Sequence, residues 1–462
     1  MVVVGGGISA LAAAHVLAGR HDVTVTVCEA DDRLGGKVRT EDFAGTSLDL
    51  GPDSFLARRP EALDLCRDLG LAAELVAPAT SSAHLWSRGR LRRLPPGLAL
   101  GVPTRFGPLA RSRVLSPVGV ARVALEPLMP GRPLDHDEAL GALVRRRLGG
   151  EVHRRLVDPL VGGINAGNTD RLSIDVAAPT LAAVARRHRS LVVGARRQAA
   201  AAEDPAHPEA GSGPVFLTLP GGLSRLVEVL AARLTDDGTD IRLGERITGL
   251  EPLAGGGYRV YAASGALDAD AVVMAVPAFA AAPLLATHAP GAAAILAAVD
   301  YASVALVALA YPTSAVARRL DGSGFLVARG EGHLMTACSW ASSKWAHLDT
   351  GDRVVLRVSA GRAGDARADS LDDDALVSRL RLELKVVLAI SETPTDVRVA
   401  RWPRAFPQYT PGHYRRIAAA EAELAVRLPG VALAGAALAG VGIPACIASG
   451  VRAAQSLRSL SH

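Results

Sequence analysis

Short apolar runs and helical patterns alternate at the start of the chain. Val2–Val4 is apolar and leads into three glycines, and an apolar helical pattern then covers Ile8–Ala18. A β-branched run over residues 23–27 follows and ends at Glu29. A strand, a helix and a second strand within roughly 30 residues predict a βαβ unit with parallel strands.

Downstream of this unit, the pattern predicts further helices and strands. Region 80–200 is rich in arginine and helix formers and has few strand patterns, which indicates a mostly helical segment. The Pro, Gly, Ala and acidic content of 199–214 is typical of a flexible loop. Helices are predicted at 60–75, 220–234, 371–389 and 445–460, hairpin turns at 255–257 and 264–265, and strands at 271–276, 303–311, 325–328, 353–359 and 431–433.

Length and composition are those of a folded protein of two or three domains. The chain has 462 residues, of which 49% are hydrophobic and 21% charged, and its net charge is +5. Aromatic residues make up only 4%, and the sequence has no base-stacking motif, so we expect no nucleic-acid partner. The four cysteines stand far apart without metal-ligand spacing, which predicts no metal site, no disulfide framework and a reducing cytoplasm.

Two uncharged stretches, 271–286 and 428–451, are long enough to resemble membrane spans. Pro277 and Pro283 break the first, while the second is mostly Ala and Gly and contains Pro444. No charged leader precedes the first apolar run, which begins at residue 2. We therefore expect a cytoplasmic protein without a transmembrane segment, and peripheral contact with a membrane stays open.

The glycines after the first strand form a dinucleotide-binding fingerprint. In Gly5-x-Gly7-x-x-Ala10, the two glycines allow a tight turn and the close approach of a pyrophosphate, and Ala10 allows close helix–strand packing. The free N–H groups at the helix start point towards the phosphates. Glu29 lies 22 residues after Gly7, at the end of the second strand, where a carboxylate accepts a hydrogen bond from a ribose hydroxyl.

A second glycine motif favours FAD over a nicotinamide. Residues 32–40, with Arg33, Gly35, Gly36 and Lys37, resemble the second dinucleotide signature of the flavin amine oxidase and protoporphyrinogen oxidase superfamily. The basic residues suit a long, doubly charged pyrophosphate. The sequence has a single Rossmann fingerprint, so we expect no separate NAD(P)H domain, and the electrons would leave to a diffusible acceptor, most simply molecular oxygen.

The C-terminal region carries the most specific resemblance. The strings RWP at 401–403, PQY at 407–409 and LAGAALAGVGIPACIASG at 433–450 resemble the bacterial protoporphyrinogen/coproporphyrinogen oxidases of heme synthesis. The family's other motifs occur in order, so the resemblance spans essentially the whole chain. They are GPDSF at 51–55, PLVGGI at 159–164, PGGL at 220–223, and TACSW at 336–340 with Lys344 and Trp345.

The resemblance implies a mixed α/β fold of the flavin amine oxidase type. A discontinuous Rossmann-type FAD-binding domain would comprise 1–78, 214–278 and 408–462, with a mostly helical lobe at 79–213 and a substrate-binding domain at 279–407. The residues implied to contact FAD are Gly5, Gly7, Ile8, Ser9, Ala10, Glu29, Ala30, Arg33, Gly35, Gly36, Lys37, Gly51, Pro52, Asp53, Ser54, Ile247, Gly435, Gly442, Ile443 and Pro444.

The resemblance also implies an FAD-dependent and oxygen-dependent six-electron oxidation of a porphyrinogen to a porphyrin, with hydrogen peroxide as the second product. The sequence looks most similar to the Gram-positive type, which acts on coproporphyrinogen III with four propionates, and protoporphyrinogen IX with two is the alternative substrate. Arg59, Asn165 and Gly167 are candidate substrate contacts, and no catalytic residue is assigned. A transient contact with the next enzyme of the heme pathway is a further expectation.

Four positions depart from the family's pattern. Asn165 replaces the usual Tyr, Leu438 and Ala439 replace Tyr-Arg, and Ala445 replaces Asp. All lie near the expected flavin or substrate cavity, so they bear on substrate preference and rate. A related FAD amine oxidase, a carotenoid desaturase and a non-catalytic flavoprotein stay open as alternative functions.

Overall fold

The chain folds into a mixed α/β structure whose strands come from its N-terminal, middle and C-terminal parts. The structure is a computed structural model that describes residues 1–129, 131–202 and 213–457. In these ranges the strands are β1 (Val2–Val4), β2 (Thr26–Cys28), β3 (Thr40–Phe43), β4 (Thr46–Asp49), β5 (Phe55–Leu56), β6 (His84–Ser87), β7 (Arg90–Arg93), β8 (Leu98–Ala99), β9 (Val102–Pro103), β10 (Phe216–Leu217), β11 (Asp240–Arg242), β12 (Ile247–Pro252), β13 (Tyr258–Ala262), β14 (Gly265–Ala269), β15 (Val272–Met274), β16 (Tyr301–Pro312), β17 (Gly324–Val327), β18 (Met335–Trp340), β19 (Arg353–Ala360), β20 (Asp396–Pro407) and β21 (Val431–Leu433).

Helices fill the connections between the strands, and a π-helical segment, His153–Gly162, directly follows the short helix α6. The α-helices of the described ranges are α1 (Ile8–Ala18), α2 (Pro60–Asp68), α3 (Phe106–Ser112), α4 (Pro117–Leu125), α5 (Leu140–Leu148), α6 (Gly150–Val152), α7 (Ile174–Ala177), α8 (Pro179–Arg187), α9 (Leu191–Ala202), α10 (Ser224–Asp236), α11 (Ala278–Leu285), α12 (Pro290–Ala297), α13 (Ala341–Lys344), α14 (Asp373–Leu388), α15 (His413–Arg427), α16 (Ala436–Ala439) and α17 (Ile443–Ser456). Short 3₁₀ turns lie at Ala72–Glu74, Glu126–Leu128, Thr313–Ala315 and Ala346–Leu348.

A parallel five-stranded sheet gathers the two ends and the middle of the chain. Its strand order is β11-β2-β1-β15-β21, and every neighbouring pair is parallel. Its central strands are buried on both faces, which explains their continuous apolar sequences. Helices α1, α10 and α17 pack on one face, and α11, α12 and α15 pack on the other. The β1-α1-β2 unit confirms the predicted βαβ motif, although β2 starts at Thr26 and not at residue 23.

A larger, seven-stranded sheet lies next to the parallel sheet. Its order is β20-β16-β19-β18-β17-β6-β7, with only β17 and β6 parallel among its neighbouring pairs. Helix α14 covers one face, where Leu380 and Leu384 join the core. Phe43, Leu48 and Leu50 from the β3–β4 hairpin cover part of the other face. The seven-stranded sheet therefore shares an apolar layer with the β3–β4 hairpin.

The expectation of few strands in 80–200 is wrong for 84–103. Strands β6 and β7 join the seven-stranded sheet, and β8 pairs with β9. The β7 segment contains three arginines because it is an edge strand, and charged side chains on an edge hide the apolar alternation that predicts a strand. The described residues from 104 to 202 contain helices α3 to α9, and their apolar side chains form one core together with Leu85, Val102 and Ala328. The division into three domains stays a prediction.

The other predicted elements fall close to their expected positions. Residues 199–202 belong to α9 and not to a loop, and the rest of the predicted loop, 203–212, lies outside the described residues. Residues 271–286 form β15 and α11, and 428–451 contain β21, α16 and most of α17. The final helix begins at Ile443 and ends at Ser456, and 458–460 lie outside the described residues. Among the described helices, none is both long enough and apolar enough to cross a membrane.

Candidate cofactor site and substrate cleft

The first glycine loop leaves an open groove at the start of α1. Gly5 has φ +107°, and a Cβ there would lie 3.0 Å from the Ala275 carbonyl oxygen. A Cβ on Gly7, by contrast, would meet no atom within 4 Å. No side chain caps the helix that begins at Ile8. The turn is therefore tight where it meets β15 and open where helix N–H groups can receive a phosphate.

Glu29 lies against this loop, as its position at the end of β2 predicts. Its carboxylate accepts hydrogen bonds from the backbone N–H groups of Gly6 and Asp31, the second at 2.9 Å. A carboxylate has about four acceptor positions, so it can still accept a hydroxyl from a ligand in the groove. Ala30 follows it and is half-buried.

The second glycine loop packs directly on the first. The Gly35 backbone N–H donates a hydrogen bond to the Gly6 carbonyl at 2.8 Å, and a Cβ on Gly36 would lie 3.4 Å from the Gly7 Cα. Arg33 holds this loop from within, because its guanidinium donates to the Gly36 carbonyl at 2.6 Å and also to the Leu34 and Val38 carbonyls. In this structure Arg33 therefore fixes the shape of the loop.

Lys37, Ser9 and Cys446 lie close together where the second glycine loop meets α1 and α17. The Lys37 side chain is exposed. The surrounding protein still removes part of its water and so lowers the pKa of Lys37, whereas nearby Cys446 raises it. Burial raises the pKa of the Cys446 thiol, and a hydrogen bond with Ser9 and the Lys37 charge act in the opposite direction. The fold thus brings together three residues from three separate segments of the chain.

The GPDSF segment is fixed by a charge network. Asp53 accepts from Lys344 Nζ at 2.8 Å and from Arg357 Nη1 at 2.7 Å, and the Trp345 indole approaches it at 3.4 Å. Burial alone would raise the pKa of Asp53, but the two cations outweigh it and hold the pKa below its usual range. Arg357 also donates to the Gly51 carbonyl at 2.6 Å. The network ties the segment to the seven-stranded sheet.

Gly51 lies at a close crossing of two backbone segments. A Cβ at this position would be 1.9 Å from the Lys37 carbonyl oxygen, a distance that no side chain can occupy. Pro52 and Ser54 are half-buried beside Asp53, and the Ser54 hydroxyl donates to its carboxylate at 3.0 Å. The two predicted cofactor segments, 33–37 and 51–54, therefore touch each other.

The C-terminal loop, residues 434–442 with the short helix α16, is held by hydrogen bonds from two sides. Ser449, almost fully buried, accepts from the Gly435 N–H at 2.9 Å. Tyr409 is fully buried and donates to the Ala436 carbonyl at 2.6 Å, and His413 contacts the Ala437 carbonyl at 2.8 Å. Since these contacts fix residues 435–437, the loop forms a rigid floor next to the start of α17.

Helix α17 begins without a capping side chain. Gly442 has φ +106°, and a Cβ there would meet no atom within 4 Å, while Ile443 and Pro444 are buried behind it. The open sides of Gly7 and Gly442 thus mark two uncapped helix starts. Predicted Ile247 is buried at the start of β12, on the opposite face of the parallel sheet from Ala10.

The three candidate substrate residues do not form one cluster. Arg59 precedes α2, has a side chain 52% exposed and pairs with Glu61 at 3.0 Å. Asn165 is buried and donates to the Val161 carbonyl at 2.8 Å, and Gly167 packs against Gln408. Among the described residues, no hydrogen bond or ion pair connects Arg59 to the other two.

The departures from the family's pattern lie along the same floor. Leu438 is buried, and Ala439 and Ala445 are half-buried on either side of the open Gly442 turn. None of these side chains carries a polar group. This part of the loop is therefore less polar than in relatives that have Tyr and Arg at positions 438 and 439 and Asp at position 445. Asn165 is joined to the loop's support because its carbonyl accepts from Gln408 at 3.1 Å.

Sequence reasoning did not assign a role to Lys344, Trp345, Arg357 or Tyr409. Lys344 and Trp345 belong to a motif that resembles the family, but nothing in that motif predicts Asp53 as their partner. Arg357 had a usable signal, because it is a charged residue inside the apolar run of β19 and must therefore be paired. The partner itself is 304 positions away along the chain and is visible only in the fold.

Known proteins match this chain over nearly its whole length. The family model described as flavin containing amine oxidoreductase matches residues 8–458. The chain is 35% identical to coproporphyrinogen III oxidase of Bacillus subtilis (strain 168), covering 97% of this chain and 96% of that protein. It is 37% identical to coproporphyrinogen III oxidase of Propionibacterium freudenreichii subsp. freudenreichii, with 97% and 88% covered.

The fold agrees as well. A crystal structure from Exiguobacterium sp. 255-15 has a TM-score of 0.88 and 32% sequence identity, covering 100% of this chain and 98% of that one. The fold class and the resemblance predicted from the sequence are confirmed. By the match over nearly its whole length, the chain belongs to the family of flavin-containing amine oxidoreductases.

Proposed function

We propose that this chain is an FAD-dependent oxidase that converts coproporphyrinogen III to coproporphyrin III in heme biosynthesis. The observation that carries the proposal is the identity of 35% and 37%, over nearly the full length, to two bacterial proteins of that name. The family match runs from residue 8 to residue 458, so it includes the N-terminal and C-terminal segments that would form the cofactor groove.

FAD is the cofactor of this family, and the groove fits it. This fit rests on the open space at Gly7 and Gly442, where a Cβ would meet no atom within 4 Å although the surrounding turns are closely packed. The N–H groups at the starts of α1 and α17 are not capped by side chains, so they are available to a pyrophosphate and to the electron-rich edge of a reduced flavin. Glu29 would accept a ribose hydroxyl.

The other predicted contacts would act in support. The segments 33–37 and 51–54 would enclose the middle of the cofactor. Arg33 is engaged by its own loop, whereas Lys37 forms no ion pair among the described residues and would be the cation that this wall offers. Asp53 would keep its segment in place through Lys344 and Arg357. Residues 435–437, held by Tyr409 and Ser449, would support the flavin from below.

When bound, FAD accepts the electrons of the substrate, which is the chemistry that the protein side chains do not supply. The task of the chain is then to bind, orient and exclude water, and this explains why no nucleophile–base pair was assigned from the sequence. We propose molecular oxygen as the electron acceptor, a cytoplasmic location and transient contact with the next enzyme of the pathway. These proposals follow from the single dinucleotide fingerprint and the resemblance.

Steady-state turnover in air tests this function. Purified protein that holds FAD should convert coproporphyrinogen III to a fluorescent porphyrin and release hydrogen peroxide in proportion, and protein stripped of FAD should do neither. Oxidation of simple amines in place of the porphyrinogen would indicate a related amine oxidase. Binding of porphyrin without peroxide would indicate a non-catalytic flavoprotein, and either result would overturn the proposal.

A further inference from the structure

Two arginines lie beside the segment that contains Asn165 and Gly167, and neither is among the predicted site residues. Arg329 follows β17, and its guanidinium donates to the Gly167 carbonyl at 2.9 Å and pairs with Asp158 at 3.0 Å. Arg362 follows β19, and the next residue, Ala363, donates to the Ala166 carbonyl at 2.8 Å. Both arginines are therefore placed at the same end of the seven-stranded sheet.

Arg362 is a poorly compensated cation. Its side chain is 15% exposed, and its Nε is buried without a hydrogen-bond partner among the described residues. The carboxylate paired with Arg362 is that of Asp365, at 4.0 Å. This carboxylate already accepts hydrogen bonds from Arg367 Nε at 2.8 Å and Arg367 Nη2 at 2.7 Å. Burial, together with the neighbouring Arg329, lowers the pKa of Arg362.

The other acid of the cluster is also occupied. Asp158 is 3% exposed, pairs with Arg329 and accepts the Thr169 hydroxyl at 2.6 Å. Asp158 and Asp365 are thus each hydrogen-bonded to another arginine, and the only carboxylate paired with Arg362 among the described residues is Asp365 at 4.0 Å. Because a cation in a low-dielectric site is costly without a counter-charge, this arrangement favours an anion from outside the chain.

The backbone next to these arginines has features that concentrate at functional sites. Asp158 belongs to the π-helical segment His153–Gly162, and π-helical turns occur frequently at such sites. Ala166 has φ +43°, an unfavourable conformation for a residue with a side chain. Gln408 joins Asn165 to Tyr409, which in turn holds residue 436 of the proposed flavin floor. Arg329 and Arg362 are therefore connected to the flavin floor through adjoining contacts.

We propose that Arg362, supported by Arg329, binds a propionate carboxylate of the tetrapyrrole substrate. This inference rests on the proposed function and adds the residue that recognises the charged rim of the macrocycle. A guanidinium presents a planar fork that matches a carboxylate in two parallel hydrogen bonds, and a charged pair in a partly buried site is stronger than one in water. Among the described residues of this cluster, Arg362 is the arginine whose Nε lacks a hydrogen-bond partner and whose carboxylate neighbour is no closer than 4.0 Å.

The test uses the holoenzyme and measures binding as well as turnover. Arg362→Met should raise the Kd for the product coproporphyrin III, read from porphyrin fluorescence, by about tenfold, which corresponds to about 1.4 kcal/mol. The KM for coproporphyrinogen III should rise with it, while kcat changes less than KM. The tetramethyl ester of coproporphyrin III has no carboxylates, so wild type and variant should bind it equally.

Two further variants make the result specific. Arg171→Gln removes an exposed arginine of the same region, paired with Asp300 at 3.2 Å, and should leave the Kd unchanged. Arg362→Lys keeps the charge without the fork and should lie between wild type and methionine, so it replaces the methionine variant if the latter loses FAD.

The outcomes separate this inference from the proposed function. If the wild type oxidises and binds the tetracarboxylate but the Arg362 variants bind it equally well, the role of Arg362 is overturned and the function stands. Loss of ester binding in parallel with acid binding also overturns the role, because the effect would not depend on charge. A wild type that neither oxidises nor binds the tetracarboxylate overturns both.

Discussion

Replacing Gly450 with alanine should separate the two helices that frame the cofactor groove. A Cβ on Gly450 in α17 would lie 2.0 Å from the Ser9 carbonyl oxygen in α1, more than an ångström closer than a normal contact. Overpacking a core costs about 1–3 kcal/mol, and the upper end applies here because a backbone oxygen cannot rotate away. We expect a loss of about 3 kcal/mol in the free energy of unfolding, which lowers the unfolding midpoint by about 3 °C for a chain of 462 residues that unfolds as one unit.

Thermal unfolding followed by circular dichroism, together with FAD titration of the apoprotein, measures this effect. FAD affinity should fall in the Gly450→Ala variant, because the starts of α1 and α17 form opposite sides of the groove. Gly107 is the matched control, since it is an exposed helical glycine whose Cβ would meet only the flexible end of Arg111 at 3.4 Å. Gly107→Ala should be neutral or slightly stabilising. A Gly450→Ala protein with wild-type midpoint and FAD affinity would refute the reasoning.

Three other substitutions test the site from different directions. Asp53→Asn should lower the free energy of unfolding by about 3–5 kcal/mol, because it leaves Lys344 and Arg357 facing each other without a carboxylate. Since the pKa of Asp53 is lowered in the folded protein, its contribution to stability is present at neutral pH and lost only in acid. A variant with the wild-type unfolding midpoint at neutral pH would contradict this. Burial raises the pKa of Asp49 to about 6, above the unfolded value of about 3.9, so the stability linked to its protonation is present below about pH 4 and lost as the pH rises through about 6. Asp49→Asn should therefore flatten the change in unfolding midpoint over this range, and an unaltered pH profile would argue against it. Glu29→Gln should raise the Kd for FAD by about tenfold in a titration of apoprotein, and an unchanged Kd would remove Glu29 from the cofactor contacts.

The elements built from apolar patterns could be predicted, and the charged edges could not. The β1-α1-β2 unit, β16, β19 and β21 have continuous or regular apolar positions, and all were predicted. The two edges of the seven-stranded sheet, β7 and β20, carry arginines, and β20 also contains Pro403. Edge strands tolerate charge and proline because they lack a partner on one side, so their sequences do not alternate as buried strands do.

The candidate site divides in the same way. The glycine loops and Glu29 have fixed local spacing, so the sequence alone placed them together. The partners of Asp53 and the cluster around Arg362 come from segments hundreds of positions apart or from separate loops, and no local spacing predicts them. Arg59 is predicted to contact the substrate because its position resembles that of a basic residue in the family, but the fold places it at an exposed helix start.

Anaerobic reduction of the bound flavin tests the central claim most directly. The holoprotein is mixed without oxygen with coproporphyrinogen III or with protoporphyrinogen IX, and the loss of flavin absorbance is followed in time. We expect rapid bleaching with the tetracarboxylate, slower bleaching with the dicarboxylate, and recovery of the flavin with formation of peroxide when air is readmitted. If neither porphyrinogen bleaches the flavin of the holoprotein, the proposed oxidase function is wrong.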